Sequence, residues 1–222
     1  MSYGRLIVFE GAEGAGKSTQ LHRLAEWLRA RGEKVVTVRE PGGTVVGDEI
    51  RRVLLDPASD IVPRAEALLF MASRAQLVER EIRPALVAGA VVLVDRFFLS
   101  TYAYQGAGRG LPESELRMAN GIATMGLVPD LTMLMTLPVE DGLERAKLRG
   151  AHDRMERAEL AFHERVAGAF VRFASAKWQR AHPECGPIVL VDAVGEQEVV
   201  LARVIEALHT KWPENFPVAG LI

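Results

Sequence analysis

Gly11-Ala12-Glu13-Gly14-Ala15-Gly16-Lys17-Ser18 fits the pattern G-x-x-x-x-G-K-[ST] without a mismatch, and what surrounds it decides the fold. Ahead of it, Arg5-Leu-Ile-Val-Phe-Glu10 carries four apolar residues in a row, as a buried strand does. Behind it, Leu21, Leu24, Ala25 and Leu28 recur at helical spacing. Strand, glycine-rich loop and helix make the context in which this pattern binds phosphate. Glycines let successive backbone N–H groups turn inward as an anion-binding nest, free of Cβ clashes. A helix beginning near Lys17 aims its positive dipole end at the same spot. The Lys17 ammonium can reach β- and γ-phosphates, and the Ser18 hydroxyl is placed to ligate Mg²⁺. The plain alternative is a glycine-rich turn that happens to carry a lysine, and the flanking strand and helix argue against it.

Outward from the loop, 222 residues at 49% hydrophobic can bury the core of one α/β domain spanning 1–222, with room for a small mobile insertion. A net charge of −2 excludes a general nucleic-acid or membrane-surface binder, though local basic patches remain allowed. The single cysteine, Cys185, excludes an intrachain disulfide and suits a reducing compartment. The N-terminus has no basic-then-apolar leader, and no apolar run approaches the ~18 residues of a membrane span. The expectation is a cytoplasmic enzyme domain without nucleic-acid or membrane partners.

Short apolar runs at Leu6–Glu10, Lys34–Arg39, Ala90–Asp95, Leu131–Leu137 and Pro187–Val191 predict five strands. Amphipathic segments predict helices over 17–31, 46–55, 64–88, 112–126, 139–149, 156–181 and 196–211. Strands apolar on both faces and separated by helices predict a doubly wound, five-stranded parallel sheet of the phosphate-loop NTPase type, with helices on both faces. Ligands then collect at the carboxyl ends of the strands.

Those ends carry the candidate chemistry. The second strand runs into Arg39-Glu-Pro-Gly-Gly-Thr44, a turn former beside the phosphate loop, and the next helix presents Arg51, either a phosphate ligand or a solvated charge. The third strand ends in Asp95-Arg96, where an acid orients Mg²⁺ or merely caps a helix. Phe70 and Arg74, four apart on one helix, share a face: an aromatic plate with a donor fork, or a core ring with an ion-paired arginine. Leu99-Ser-Thr-Tyr-Ala-Tyr-Gln-Gly106 crowds hydroxyl, phenol and amide groups beyond the third strand, a lining for a polar planar ligand or simply a polar loop. Between Leu143 and Arg165, basic residues surround Gly150 and alternate with glutamates, as in a closing lid or an ordinary charged helix–turn–helix.

With these stretches in order, the chain resembles the bacterial thymidylate kinase family over most of its length. Arg39-Glu-Pro-Gly-Gly-Thr44, and Ala103-Tyr-Gln-Gly106 followed by Gly108-Arg-Gly110, are the family-specific parts, and Asp95-Arg96 and Arg149-Gly-Ala-His-Asp-Arg-Met-Glu156 belong to the same resemblance. The resemblance implies phosphoryl transfer from ATP to dTMP, with Mg²⁺ and a homodimer. It implies that Gly11, Ala12, Glu13, Gly14, Ala15, Gly16, Lys17, Ser18 and Thr19 hold ATP, with Ser18 and Asp95 at the metal. Lys17, Asp95, Arg96 and Arg149 become the catalytic set. Glu13 goes to the acceptor 3′-hydroxyl, Arg51 and Arg96 to its phosphate, Phe70 to a stack on thymine, and Arg74 to the base edge. Ser100, Thr101, Tyr104 and Gln105 complete the acceptor pocket. A lid over about 148–157, with Lys147, Arg149 and Arg154 as its basic residues, supplies the positive charge that a loop carrying Ala15 does not.

Two positions depart from the family pattern: Phe97 stands where a tyrosine or histidine often follows Asp-Arg, and Thr136 where an acid often ends the fourth strand. Competing readings are another phosphate-loop nucleotide or small-molecule kinase, a nucleotide-switch GTPase and an inactive binding protein. The GTPase needs Asn-Lys-x-Asp, which the chain lacks, and Lys17, Ser18 and Asp95 argue against an inactive protein.

Overall fold

The computed structural model describes residues 3–147, 154–155 and 159–216. Five parallel strands stand side by side: β1 (Arg5–Glu10), β2 (Val35–Arg39), β3 (Val91–Asp95), β4 (Leu131–Thr136) and β5 (Ile188–Asp192), in the order β2-β3-β1-β4-β5. The register sets Phe9 and Arg39 on either side of Asp95, so the carboxyl ends of β1, β3 and β2 finish level with one another. Each prediction from apolar runs meets its strand to within a residue at either end.

Because side chains alternate across a strand, each central strand feeds two cores. Leu6, Val8, Val92, Val94 and Leu134 face one; Ile7, Phe9, Leu93 and Met133 face the other. The second core is closed by α1 (Lys17–Arg29) and α10 (Gln197–Lys211). The first lies under α2 (Val45–Leu55), α3 (Pro63–Leu77), α4 (Arg83–Val87), α5 (Phe98–Thr101), α6 (Glu113–Thr124), α8 (Leu160–Phe173) and α9 (Ala176–Ala181). α7 (Val139–Lys147) follows β4. Among the described residues, no helix is long and apolar enough to cross a membrane.

Three differences from the predicted elements have local causes. The helix expected over 64–88 runs as α3, a widened π turn at Val78–Ile82, and α4. Pro84 has no N–H and its ring would strike the carbonyl four residues back, and a π turn makes room for both. The helix expected over 156–181 is two helices, because the Ser175 hydroxyl accepts from the Trp178 N–H and restarts the winding as α9. The stretch after Asp95, left open as a loop, is helical: α5 passes into a π-helix at Tyr102–Gly108. Gly106 and Gly108 disguise it. A Cβ on Gly108 would stand 2.4 Å from the Phe162 ring, so glycine there serves the packing of α8.

The C-terminal stretch also has a place. Phe216 is 1% exposed in the α1–α10 core, while the Arg5 guanidinium lies 5.2 Å from the Trp212 ring and donates to Asn215 Oδ1 at 2.8 Å. Phe216→Ala is therefore expected to destabilise the fold by about 3–5 kcal/mol in denaturant unfolding, with turnover of the folded enzyme unchanged. Loss below about 1 kcal/mol would show that the tail is ornamental to the core.

Candidate active site

The phosphate loop leaves β1 at Gly11 and enters α1 at Lys17, with Gly14 at φ 74° and Gly16 at φ 78°. Gly14 is also required by space: a Cβ would lie 2.0 Å from the Gly142 carbonyl oxygen at the start of α7. Lys17 is buried, and its ammonium donates to the Ala12 carbonyl at 2.7 Å across the loop. Burial first, and the Arg96 guanidinium second, pull that ammonium down to about 8. The Ser18 hydroxyl donates to Asp95 Oδ2, joining the start of α1 to the end of β3. Asp95 Oδ1 is buried without a hydrogen-bond partner among the described residues.

Arg96 adopts φ 71°, a left-handed conformation that costs an arginine of order 1–3 kcal/mol. That backbone turns its side chain back over the loop. One Nη donates to the Gly11 carbonyl at 3.2 Å and to Ser100 Oγ at 3.1 Å, the other to Glu13 Oε2 at 3.0 Å. The Tyr104 ring lies 5.1 Å beneath the guanidinium, and burial pushes its phenol up to about 12. Beneath this arrangement is Glu10, an acid that sequence reasoning did not assign. It is fully buried and accepts from the Phe97 and Ser100 N–H groups at 2.7 and 3.1 Å and from Ser100 Oγ at 2.6 Å. The strand-end rule that singled out Asp95 applies equally to Glu10, the last residue of β1.

The side of the cleft away from the phosphate loop is built on Arg74, 2% exposed on α3. Its Nε and one Nη reach Glu40 Oε2 at 2.7 and 2.6 Å; its remaining N–H groups go to Thr101 Oγ1 (3.0 Å), Asn120 Oδ1 and the Phe97 carbonyl (2.8 Å). Four of its five N–H groups thus donate to protein acceptors, and the Glu40 ion pair faces the fifth. Both sequence alternatives for this arginine hold together: it is ion-paired with a carboxylate, and it lines the cavity that Phe70 also lines. A base-edge bond to Arg74 has to share or displace one of these contacts. Burial pushes the Glu40 carboxyl up to about 7 against the pull of Arg74. Phe97 is wholly buried with its ring 4.9 Å from the Arg74 guanidinium, so the departure at that position serves the core. Thr136 is exposed at the end of β4, its hydroxyl donating to the Val191 carbonyl at 3.3 Å.

One cavity of about 330 Å³ joins the two halves. Gly14, Gly16, Lys17, Ser18, Thr19 and Asp95 line one end; Phe70, Arg74, Thr101 and Gln105 line the other. Glu13, Arg51, Arg96, Ser100 and Tyr104 line it too, as do Arg39 and Met155, each within a quoted motif but given no role there, and His163, which carried no sequence signal. A second cavity, about 340 Å³, opens on the other side of the loop between Gly14, Thr19, Arg145, Gly195 and Gln197.

The lid expectation is altered where it can be followed. Arg149 and the segments 148–153 and 156–158 lie outside the described residues, as does the side chain of Lys147. Arg154, expected as a basic lid residue, is bonded to α2 and to Glu66. Its N–H donates to the Leu55 carbonyl at 3.1 Å, its Nε to the Leu54 carbonyl at 2.7 Å, and an Nη to Glu66 Oε2 at 2.7 Å. A buried carboxylate and the open end of α2 compete successfully for this cation.

The Lys17 geometry predicts a pH signature. The charged ammonium binds phosphate below about 8, so ATP affinity measured calorimetrically should fall by up to about tenfold per pH unit above that point. Stability runs the opposite way: from about 8 to the ordinary value of 10.5 the unfolded chain holds the extra proton, so this group favours the fold increasingly as pH rises. ATP affinity constant between pH 7 and 9.5 would remove Lys17 from the phosphates.

The thymidylate kinase family model matches residues 9–182. The chain is 53% identical to the thymidylate kinase of Deinococcus radiodurans, over 95% of this chain and 99% of that protein. It is 41% identical to that of Cyanothece sp., over 99% of both. Among solved structures, the crystal structure of thymidylate kinase from Ehrlichia chaffeensis matches with a TM-score of 0.72 at 29% identity, covering 93% of this chain and 99% of that one.

Proposed function

The chain belongs to the thymidylate kinase family, and on that premise we propose which of its residues perform each part of the reaction. The activity is transfer of the γ-phosphoryl group of ATP to dTMP, giving dTDP and ADP. Another phosphate-loop kinase of the same fold is not favoured. The observation that carries the assignment is the continuous cavity lined at one end by the phosphate loop and at the other by Phe70, Arg74, Thr101 and Gln105.

ATP lies with its phosphates on the backbone of Gly11, Ala12, Glu13, Gly14, Ala15 and Gly16 and on Lys17, Ser18 and Thr19. Its base enters the second cavity beside Arg145 and Gln197. dTMP occupies the other end, thymine against Phe70, sugar hydroxyl toward Glu13, and phosphate between Arg51 and Arg96. An acceptor phosphate oxygen attacks the γ-phosphorus in line, and ADP leaves. The phosphate nucleophile needs little activation, so positioning and charge neutralisation provide the acceleration. Lys17 and Arg96 contribute to that neutralisation, and Arg149 is assigned the role of the lid arginine that adds to it. Arg154 holds the rim of the pocket.

The residues also fit Mg²⁺. Asp95 Oδ1 is a buried oxygen without a hydrogen-bond partner among the described residues, beside a carboxylate oxygen already bridged to Ser18. Among the described residues, no cluster of three or more His, Cys, Asp or Glu side chains is arranged to hold a metal. That suits a cation held by one hydroxyl, one carboxylate, waters and substrate phosphates. When bound, Mg²⁺ supplies charge neutralisation on the phosphate oxygens.

Acceptor choice tests the reading. A cation at the base edge favours the carbonyl of thymine over the amino group of cytosine. The missing methyl of dUMP is worth only about 1–3 kcal/mol. We expect kcat/KM to be highest for dTMP, roughly 10- to 200-fold lower for dUMP, and lower again for dCMP and purine monophosphates. Preference for AMP, GMP or CMP would overturn it.

A homodimer is part of the proposal, with a cytoplasmic location and no nucleic-acid partner. α3 and α6 run side by side, Arg64 of one 4.0 Å from Glu115 of the other. Their outer faces expose Leu68, Met118, Met125 and, at 82%, Ile122. Such an apolar strip marks an interface. Light scattering should give twice the mass of the 24.3 kDa chain, and Ile122→Glu should give the monomer mass. A monomeric parent, or an Ile122→Glu dimer of unchanged stability, would move the interface elsewhere.

A further inference from the structure

We propose that Glu66 is a positioning residue for the acceptor, a buried carboxylate that holds three walls of the acceptor end of the cavity in register. The proposal rests on the acceptor reading above. Glu66 sits in the first turn of α3, where the helix dipole favours an acid, and it is 0% exposed. Its Oε1 accepts from Gln105 Nε2 at 3.0 Å and Arg109 Nε at 3.2 Å. Its Oε2 accepts from an Arg109 Nη at 3.1 Å and an Arg154 Nη at 2.7 Å.

Each donor controls a different wall. Gln105 itself lines the cavity. Arg154 is tied to the Leu54 and Leu55 carbonyls at the end of α2, and so sets its neighbour Met155, a lining residue, against that helix. Arg109 lies 4.6 Å from the Phe162 ring, which packs edge-on against Tyr104, the third wall. None of these three donors lines the second cavity, where the ATP base is assigned.

Two guanidiniums converge on one carboxylate, which is their shared counter-ion in a place with little water. Removing its charge leaves both cations uncompensated and drives them toward solvent, and the walls they carry follow. A carboxylate that served packing alone would change stability and leave the two substrates equally well bound. Among the described residues, the three donors to Glu66 make no hydrogen bond to the phosphate loop, so its loss should appear mainly in one Michaelis constant.

The experiment is steady-state phosphoryl transfer with ATP, Mg²⁺ and dTMP, using Glu66→Gln, Arg154→Gln and the double variant. Glu66→Gln is expected to raise KM for dTMP tenfold or more while KM for ATP stays within twofold. Arg154→Gln should raise the same constant by less, and the double variant should not exceed Glu66→Gln, because both changes cut one link. A Glu66→Gln enzyme that melts earlier but keeps both Michaelis constants would overturn the proposal, as would equal rises in both. If Glu66→Gln does not fold, Arg154→Gln decides by the same split, and an unchanged KM for dTMP overturns it. Failure of the parent enzyme to use dTMP is a different result and would overturn the acceptor reading instead.

Discussion

Glu10 ends the central strand with no contact with solvent, and its two oxygens accept from two backbone N–H groups and one hydroxyl of the Phe97–Ser100 turn. A buried carboxylate has to be satisfied in this way or lose its charge. Satisfied, it fastens the chain leaving β3 to the chain leaving β1, one residue before the phosphate loop. The same turn holds Arg96 in its left-handed conformation, and Arg96 then closes the circuit through the Gly11 carbonyl and Glu13. The loop's shape and the placement of the Arg96 guanidinium over it therefore depend on one charge-assisted set of hydrogen bonds, each worth about 1.5–3 kcal/mol.

A similar logic extends across the acceptor side, where the interior is polar by design of the site. Arg74 is spent on Glu40, Thr101, Asn120 and Phe97, and Glu66 gathers Gln105, Arg109 and Arg154. Such networks stabilise less than apolar packing of equal volume, but they lock side-chain directions. Directions are what an acceptor pocket needs, since phosphoryl transfer is governed by alignment of the two substrates. Burying Lys17 in the same region lowers its proton affinity and leaves it strongly responsive to an incoming polyphosphate.

Length and local pattern made the fold legible. Strands buried on both faces have to be continuous apolar runs, and glycines at 11, 14 and 16 allow the loop whatever the rest of the chain does. Helix interruptions were harder to read. A π turn beside Pro84 and the helical character of Tyr102–Gly108 arise from packing partners distant in sequence, Phe162 among them, which local propensity does not register.

By itself, then, the sequence determined the phosphate loop, its strand and helix, the parallel sheet and the residue types gathered at the strand ends, because each depends on neighbours within a few positions. Which charged residues meet was decided only in three dimensions. Arg74 and Glu40 are 34 positions apart, Glu10 and Phe97 are 87 apart, and Arg154 and Glu66 are 88 apart. Nothing local distinguishes a glutamate in the first turn of a helix from one that anchors two arginines. Basic neighbours give Arg154 the look of a lid cation; in the fold its guanidinium pairs with Glu66, which is buried within its reach.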